Sequence, residues 1–355
     1  MPGAIGKLLY QTYMKWFPIP PPPANSFKDQ IVVVTGGTSG LGLAATVHFV
    51  NLGAEEVIIT SRDSTRAKNA LAAIERETGG CSKGRVRVMD LDMNRYSSVV
   101  AFAREIKKVR QGRGGADYVI LNAGLSGVDF KLGDEGWEQN IQVNVLSTAL
   151  LGLLLLPWMK AERAQRSAPA HLAVVGSSRH LEPNIQEWME WATGPGILRH
   201  FNKLENWPGA DGMYATTKLM VQYAVSELAK MAFGPGGRPE VIINAMCPGI
   251  VSSNLPRHFT DKGKGYAIGI IIFFSLFGKS PSNGARTYAA TGLTKESEHG
   301  KFIRFYDSEA DYQKRVEKVL TGEAGRKMQA QVWSEMKADF IAKVPEAREI
   351  LGSSI

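Results

Sequence analysis

The stretch from Ile31 to Thr35 constrains the fold more than any other part of the chain. It is an unbroken β-branched run, Ile-Val-Val-Val-Thr. A strand with one wet face alternates apolar and polar residues, and this run does not. It reads as a strand covered on both faces, the situation of a parallel sheet with helices above and below. The unit then recurs. Leu41–Leu52 has helical spacing, Glu56–Thr60 reads as a strand, and Ser64–Thr78 reads as a helix with Ser64 as its N-cap. Further strands are expected at Arg85–Met89, Tyr118–Leu121, Leu172–Gly176, Val241–Met246 and Lys301–Tyr306. Helices are expected at Ser97–Lys108, Trp137–Leu156 and Asp211–Phe233. Strands separated by helices require right-handed crossovers, so the class is α/β, a doubly wound parallel sheet.

The turn after the first strand is Thr35-Gly36-Gly37-Thr38-Ser39-Gly40-Leu41-Gly42. A pyrophosphate can approach backbone closely only where side chains are missing, and a helix N-terminus adds N–H donors and positive potential. No Gly-Lys-Ser/Thr ending follows, which argues against the phosphate loop of ATP and GTP enzymes. In its strand–turn–helix setting the turn reads as a dinucleotide site, and the architecture as Rossmann-type with helices on both faces of the sheet.

Composition narrows the class. The chain is 44% hydrophobic and 21% charged over 355 residues, which excludes a disordered chain. Two cysteines, Cys81 and Cys247, are too few for a disulfide framework or a zinc cluster and point to a reducing, cytoplasmic setting. No metal is expected. Lys+Arg 42 against Asp+Glu 34 gives +8. No basic run or basic–aromatic RNA motif accompanies this charge, so nucleic acid is not an expected partner. A polyphosphate cofactor or a membrane surface suits it.

Residues 1–27 form an N-terminal apolar segment and proline linker. Leu8, Leu9, Tyr10, Tyr13, Met14, Trp16 and Phe17 can share one helix face, and Pro18 and Pro20–Pro23 end it. That face suits packing on the protein's own body, or a membrane or partner anchor. Residues 28–355 read as a single catalytic domain with a helical C-terminus. Two insertions break the βα alternation, near 180–212 and 256–283. The first is irregular and aromatic, with Trp188, Trp191, Phe201 and Trp207. The second contains the apolar run Tyr266–Phe277, too short to cross a bilayer. It reads as a buried helix or lid, or as membrane-surface contact. Both insertions leave strands at the edge where α/β sheets bind ligands, so both are candidate substrate walls.

The spacing Gly36-x3-Gly40-x-Gly42 departs from the usual Rossmann G-x-G-x-x-G. It resembles the short-chain dehydrogenase/reductase family, and other motifs follow in that family's order. Asn122-Ala123-Gly124 ends the fourth strand. Asn144 lies on the long helix, Ser177-Ser178 ends the fifth strand, Tyr214 and Lys218 form Tyr-x-x-x-Lys, and Pro248-Gly249-Ile250-Val251 ends the sixth. Lys279-Ser280-Pro281 and Trp333 resemble the retinol-dehydrogenase-like branch and its fungal biosynthetic relatives. The resemblance spans about residues 29–310. It implies a carbonyl–alcohol oxidoreductase, cofactor contacts from the Gly-rich loop through Val251 and Ser253, and a proton relay through Asn144. The two longest helices correspond to dimer-forming helices in relatives, so a homodimer is a candidate assembly.

The chemistry can also be argued from the residues. Tyr214 and Lys218 share one helix face. A free phenol has a pKa near 10, and an adjacent ammonium is expected to lower it. Ser178, the second serine of the pair, is expected to orient the substrate oxygen, with Ser177 as the competitor. Their separation from Tyr214 is long, as in retinol-dehydrogenase-like members. At the end of the second strand, Arg62 and Ser61 suit a ribose 2′-phosphate, hence NADP(H). Asp63 one place later argues for NAD. Asp92-Met93 resembles the pair that contacts adenine, with Asp90 as the alternative. The expected substrate is a bulky, largely apolar carbonyl or alcohol. Two rivals remain: a non-redox lyase or epimerase, and a non-catalytic cofactor-binding protein on the same fold.

Overall fold

The computed structural model describes residues 13–111, 114–252 and 275–352. Among them, seven strands form one sheet: β1 (Ile31–Val34), β2 (Glu56–Ser61), β3 (Val86–Asp90), β4 (Tyr118–Leu121), β5 (Ala170–Val175), β6 (Val241–Met246) and β7 (Phe302–Ile303). Their order is β3-β2-β1-β4-β5-β6-β7, and every pairing is parallel. The order reverses between β1 and β4, so a crevice opens there at the C-terminal edge. Each residue of β1 is buried, as the absence of a polar face requires.

Helices cover both faces. They are α1 (Gly40–Asn51), α2 (Ser64–Glu77), α3 (Tyr96–Val109), α4 (Thr148–Ala161), α5 (Ile185–Thr193), α6 (Ile197–Phe201), α7 (Gly209–Met231), α8 (Pro281–Thr291), α9 (Glu309–Val316), α10 (Glu323–Lys343) and α11 (Pro345–Gly352). A π turn, Ile141–Ser147, leads into α4. Together they form a long apolar segment, Ile141–Ala161, that is buried in the core. The expected end at Leu156 is passed because Pro157 is accommodated inside the helix. Ser64 is not the cap of α2. Asp63 is, because its carboxylate accepts from Arg66 N at 2.6 Å.

The aromatic insertion is more regular than its sequence indicates. It folds into a short 3₁₀ turn, Ser178–Leu181, followed by α5 and α6. Trp188 is buried edge-to-face against Phe201, with ring centroids 5.5 Å apart. Of the second insertion, residues 253–274 lie outside the described residues, and with them Ser253 and most of Tyr266–Phe277. Near the N-terminus Met14 is buried, but Tyr13, Trp16 and Phe17 are exposed. Lys15 donates to the carbonyls of Ser275 and Leu276, so this helical turn lies beside the described end of the second insertion.

The C-terminal helices cover the two long ones within the chain itself. α10 packs on α5, α6 and α7, and α11 packs on α4. Phe340 of α10 is fully buried and meets Tyr96 edge-to-face at 6.1 Å, and the Tyr96 hydroxyl donates to Asp339 at 2.6 Å. Phe340→Ala should cost about 3–5 kcal/mol, the usual range for emptying a buried aromatic site. Urea denaturation checks this. A midpoint equal to wild type would show that α10 is not part of the cooperative fold.

Candidate active site

The Gly-rich turn between β1 and α1 is locked by backbone geometry. Gly36 has φ +67° and Gly40 +55°, the left-handed region that favours glycine. A Cβ on Gly42 would lie 2.5 Å from Gly36 O, and one on Gly37 would lie 2.6 Å from the Ile59 side chain. Thr35 Oγ1 accepts from the amides of Asn122 and Ala123, both at 2.9 Å. Asn122 Nδ2 returns a bond to Thr35 O at 2.7 Å. Asn122 thus shapes the turn. Ser39 precedes α1 but makes no side-chain cap bond, so the first amides of α1 are not claimed by it. Thr38 is half-buried, Ser39 is exposed, and Leu41 packs toward Val251 and Gly284. A cradle without room for side chains, at the N-terminus of a twelve-residue helix, fits a pyrophosphate.

At the end of β2 the competing signals separate. Asp63 is occupied in capping α2, and Ser61 Oγ donates to Asp63 O at 2.8 Å. Arg62 is exposed. Asp92 accepts from Asn94 N and Asn94 Nδ2 at 3.1 and 2.7 Å, holding the loop after β3. Met93 is buried there.

The catalytic candidates converge at the C-terminal edge of β4, β5 and β6. Lys218 Nζ donates to Val175 O at 2.7 Å and lies 5.5 Å from the centroid of the Tyr214 ring. Asn144 sits in the π turn, a distortion frequent at functional sites. Its Nδ2 donates to Leu125 O at 2.9 Å and Thr217 Oγ1 at 3.3 Å, and its Oδ1 accepts from Leu125 N at 2.9 Å. Asn144 therefore ties the π turn to the β4 loop, beside Gly124, and to α7. Gly249 adopts φ +79°, and its N–H meets Cys247 Sγ at 3.4 Å, just after buried Pro248.

The competing serine of the pair also bears on the tyrosine. The Ser177 hydroxyl is near enough to the Tyr214 phenol to oppose the rise of its pKa. Ser177 also begins the 3₁₀ turn as its N-cap, and Ser178 is the first residue of that turn. Ser178 lines a cavity of about 380 Å³ with Tyr306, Asp307, Arg315 and Lys318.

The electrostatics also differ from expectation. Desolvation in the cleft pushes the Tyr214 phenol up to about 12, with Cys247 adding to the rise and Ser177 and Arg179 opposing it. Burial pushes the Lys218 ammonium down to about 8. The groups that oppose the rise of the phenol in the cofactor-free protein are Ser177 and Arg179, and at neutral pH an ammonium titrating near 8 is still charged. His180 is fully buried; its Nδ1 pairs with Ser177 O at 2.6 Å and its Nε2 with the Tyr312 hydroxyl at 3.2 Å. Burial brings its imidazole down to about 4, so it is a neutral wall residue that holds the Ser177 turn. Arg179 and Cys247 are site residues that sequence reasoning missed. An arginine beside a motif reads as a solvated charge, and a lone cysteine carries no spacing signal.

This arrangement predicts a phenol that stays protonated well above neutrality. In the cofactor-free protein, the absorbance difference between wild type and Tyr214→Phe should show no phenolate band at neutral pH, and the band should emerge only in strong alkali, towards pH about 12. A band already present at neutral pH would contradict the burial argument.

Comparison with known proteins agrees with this geometry. The short chain dehydrogenase family profile matches residues 30–186. The short-chain dehydrogenase/reductase ffsI of Aspergillus flavipes is 31% identical over 94% of this chain and 93% of its own length. The short-chain dehydrogenase/reductase phmF of Phaeosphaeria nodorum is 30% identical over 88% of this chain and 87% of its own. Among solved structures, a short chain dehydrogenase of Escherichia coli CFT073 complexed with NADPH is 20% identical, covers 79% of this chain and 98% of its own, and has a TM-score of 0.56. An NADPH-bound short chain oxidoreductase of Pseudomonas aeruginosa PAO1 is 22% identical, covers 78% and 96%, and has a TM-score of 0.54. The extent of these matches, over the residues that build the cleft, places the chain in the short-chain dehydrogenase/reductase family.

Proposed function

We propose that the protein is an NADP(H)-dependent oxidoreductase that interconverts a carbonyl and an alcohol on a bulky, largely apolar substrate. The observation that carries this reading is the Tyr214–Ser177 pair, with Lys218 behind it, at the sheet edge that also holds the Gly-rich cradle. Bound NADPH would supply the hydride. Ser177 donates a hydrogen bond that orients the substrate oxygen, and Tyr214 gives that oxygen its proton. A phenol held in its protonated form suits reduction. Lys218 holds the β5 carbonyl edge and Asn144 holds the π turn, so both fix the place where the proton moves. Arg62 and Ser61 would receive the 2′-phosphate, since Asp63 is committed to its helix. The NADPH carried by the Escherichia coli and Pseudomonas aeruginosa proteins supports this cofactor choice. Beyond Arg179 a cavity of about 490 Å³ is lined by Trp188, Trp191, His200 and Phe201, which suits a bulky apolar group.

Two outcomes are expected. Tyr214→Phe should lower NADPH-driven reduction of bulky ketones or aldehydes by about 10²–10⁴-fold, with NADPH affinity by fluorescence titration nearly unchanged. Half of wild-type activity would remove Tyr214 from the mechanism, and turnover without net cofactor change would favour a lyase or epimerase. Arg62→Ala should weaken NADPH binding far more than NADH binding in calorimetry, because a guanidinium–phosphate bond is charge-assisted. Equal loss for both cofactors would refute the assignment.

A further inference from the structure

The 3₁₀ turn Ser178–Leu181 lends residues to two cavities. The aromatic one takes most of its wall from α5, α6 and α7, with Arg179 beside them. The other, of about 380 Å³, is walled by Ser178 and Leu181 and by the chain after β7: Tyr306, Asp307, Arg315 of α9 and Lys318 of the π turn Glu317–Thr321. Glu182 lines both, so the two cavities adjoin at the serine turn. A substrate whose bulk fills the aromatic cavity can therefore place a second group in its neighbour.

The charges of this neighbouring cavity are matched. Asp307 pairs with Arg315, and Glu182 accepts from Arg179 Nε at 2.9 Å. Lys318 is exposed at the rim. The interior therefore does not call for an ionic group. What it leaves without a partner is neutral. The Tyr306 hydroxyl oxygen is buried and makes no hydrogen bond among the described residues. Ser178 and Cys247 lie close enough to influence its ionisation without completing a bond to it. Burial above all, and then Cys247, holds this phenol well above its ordinary pKa, so it presents a neutral O–H. Cys247 also bears on Tyr214, which puts Tyr306 one side chain from the reacting centre. For packing alone a phenylalanine would serve. A buried hydroxyl without a partner costs stability, and a ligand oxygen that pairs with it recovers that cost.

We propose that Tyr306 is a specificity-determining residue: its hydroxyl hydrogen-bonds a second, uncharged oxygen of the substrate, so that the preferred substrate is an apolar ketone carrying a hydroxyl group apart from its reacting carbonyl. The proposal rests on the reading of the protein as a carbonyl–alcohol oxidoreductase with Tyr214 as its proton donor. A wall built to pair with a substrate hydroxyl discriminates against the analogue that lacks it, because the wall's own polar atom is then left unpaired.

The test uses the full chain with NADPH and compares α-tetralone with its ring-hydroxylated isomers. The best hydroxylated isomer should exceed α-tetralone about tenfold in kcat/KM, the size of one net hydrogen bond. Tyr306→Phe should remove that advantage, mainly through KM. Lys318→Trp, which narrows the cavity from its exposed rim without altering Tyr306, should reduce it as well. A second readout needs no turnover: calorimetry of the same ketones with the protein–NADP⁺ complex should show the same preference in wild type and its loss in Tyr306→Phe. A wild type that favours no hydroxylated isomer in either readout, the result expected of a cavity that takes only water, would overturn the proposal. So would a Tyr306→Phe variant that keeps the preference. If hydroxylated ketones bind through Tyr306 but none is reduced, the oxidoreductase reading falls and the binding role stands. If turnover depends on Tyr214 but shows no preference, only the role of Tyr306 falls.

Discussion

The site depends on one hydrogen-bonded junction between β1 and β4. Thr35 accepts two amides from the end of β4, and Asn122 donates back to the carbonyls of Thr35 and Gly36. Asn122 Oδ1 then accepts from the Tyr288 hydroxyl at 2.7 Å, which brings α8 into the same knot. The Tyr118 hydroxyl donates to Tyr288 O at 2.9 Å from below. Sheet order reverses at this junction, and the glycines of the turn have no side chains to hold its shape. The side chains of Thr35, Asn122 and Tyr288 hold it instead. Without that support the turn could adopt many conformations, and the crevice would have no fixed floor.

Around this floor, the reactive groups are positioned by their neighbours. The π turn brings Asn144 against the β4 loop and Thr217. His180 stays neutral and fixes the backbone of Ser177 while packing against Phe302, 4.6 Å away, and Tyr312. Tyr312 stacks on Phe302 at 5.5 Å, with the Arg304 guanidinium carbon 3.8 Å from its ring. The last strand and α9 therefore buttress the serine turn. α10 and α11 close over α7 and α4, so the helix carrying Tyr214 is packed on by its own chain. Interiors packed this closely hold a side chain to a small range of positions, which proton transfer between fixed atoms requires.

Much of this was legible in the sequence. The β-branched run, the glycine turn and the ordered motifs locate the strands, and β4 and β6 begin and end where the pattern places them. The unread parts share a physical cause: they depend on direction or on partners. Ser177 and Ser178 are chemically identical, and the direction each hydroxyl takes is set by the tight turn after β5. Asp63 and Ser64 both cap helices well, and the backbone entering α2 selects the aspartate. The pairing of α10 with α5, α6 and α7 leaves no periodic mark, because an apolar helix face does not name what covers it. The phenol was expected to feel Lys218 mainly, but burial acts on both groups and moves them in opposite directions.

A crystal structure of the protein with NADP⁺ and a ketone would test the central claim most directly. The account predicts the pyrophosphate at the first amides of α1, the 2′-phosphate beside Arg62 and Ser61, and the ketone oxygen within hydrogen-bond reach of both Tyr214 and Ser177. A cofactor whose nicotinamide faces away from Tyr214, or a ketone held by Ser178 in the neighbouring cavity, would contradict it.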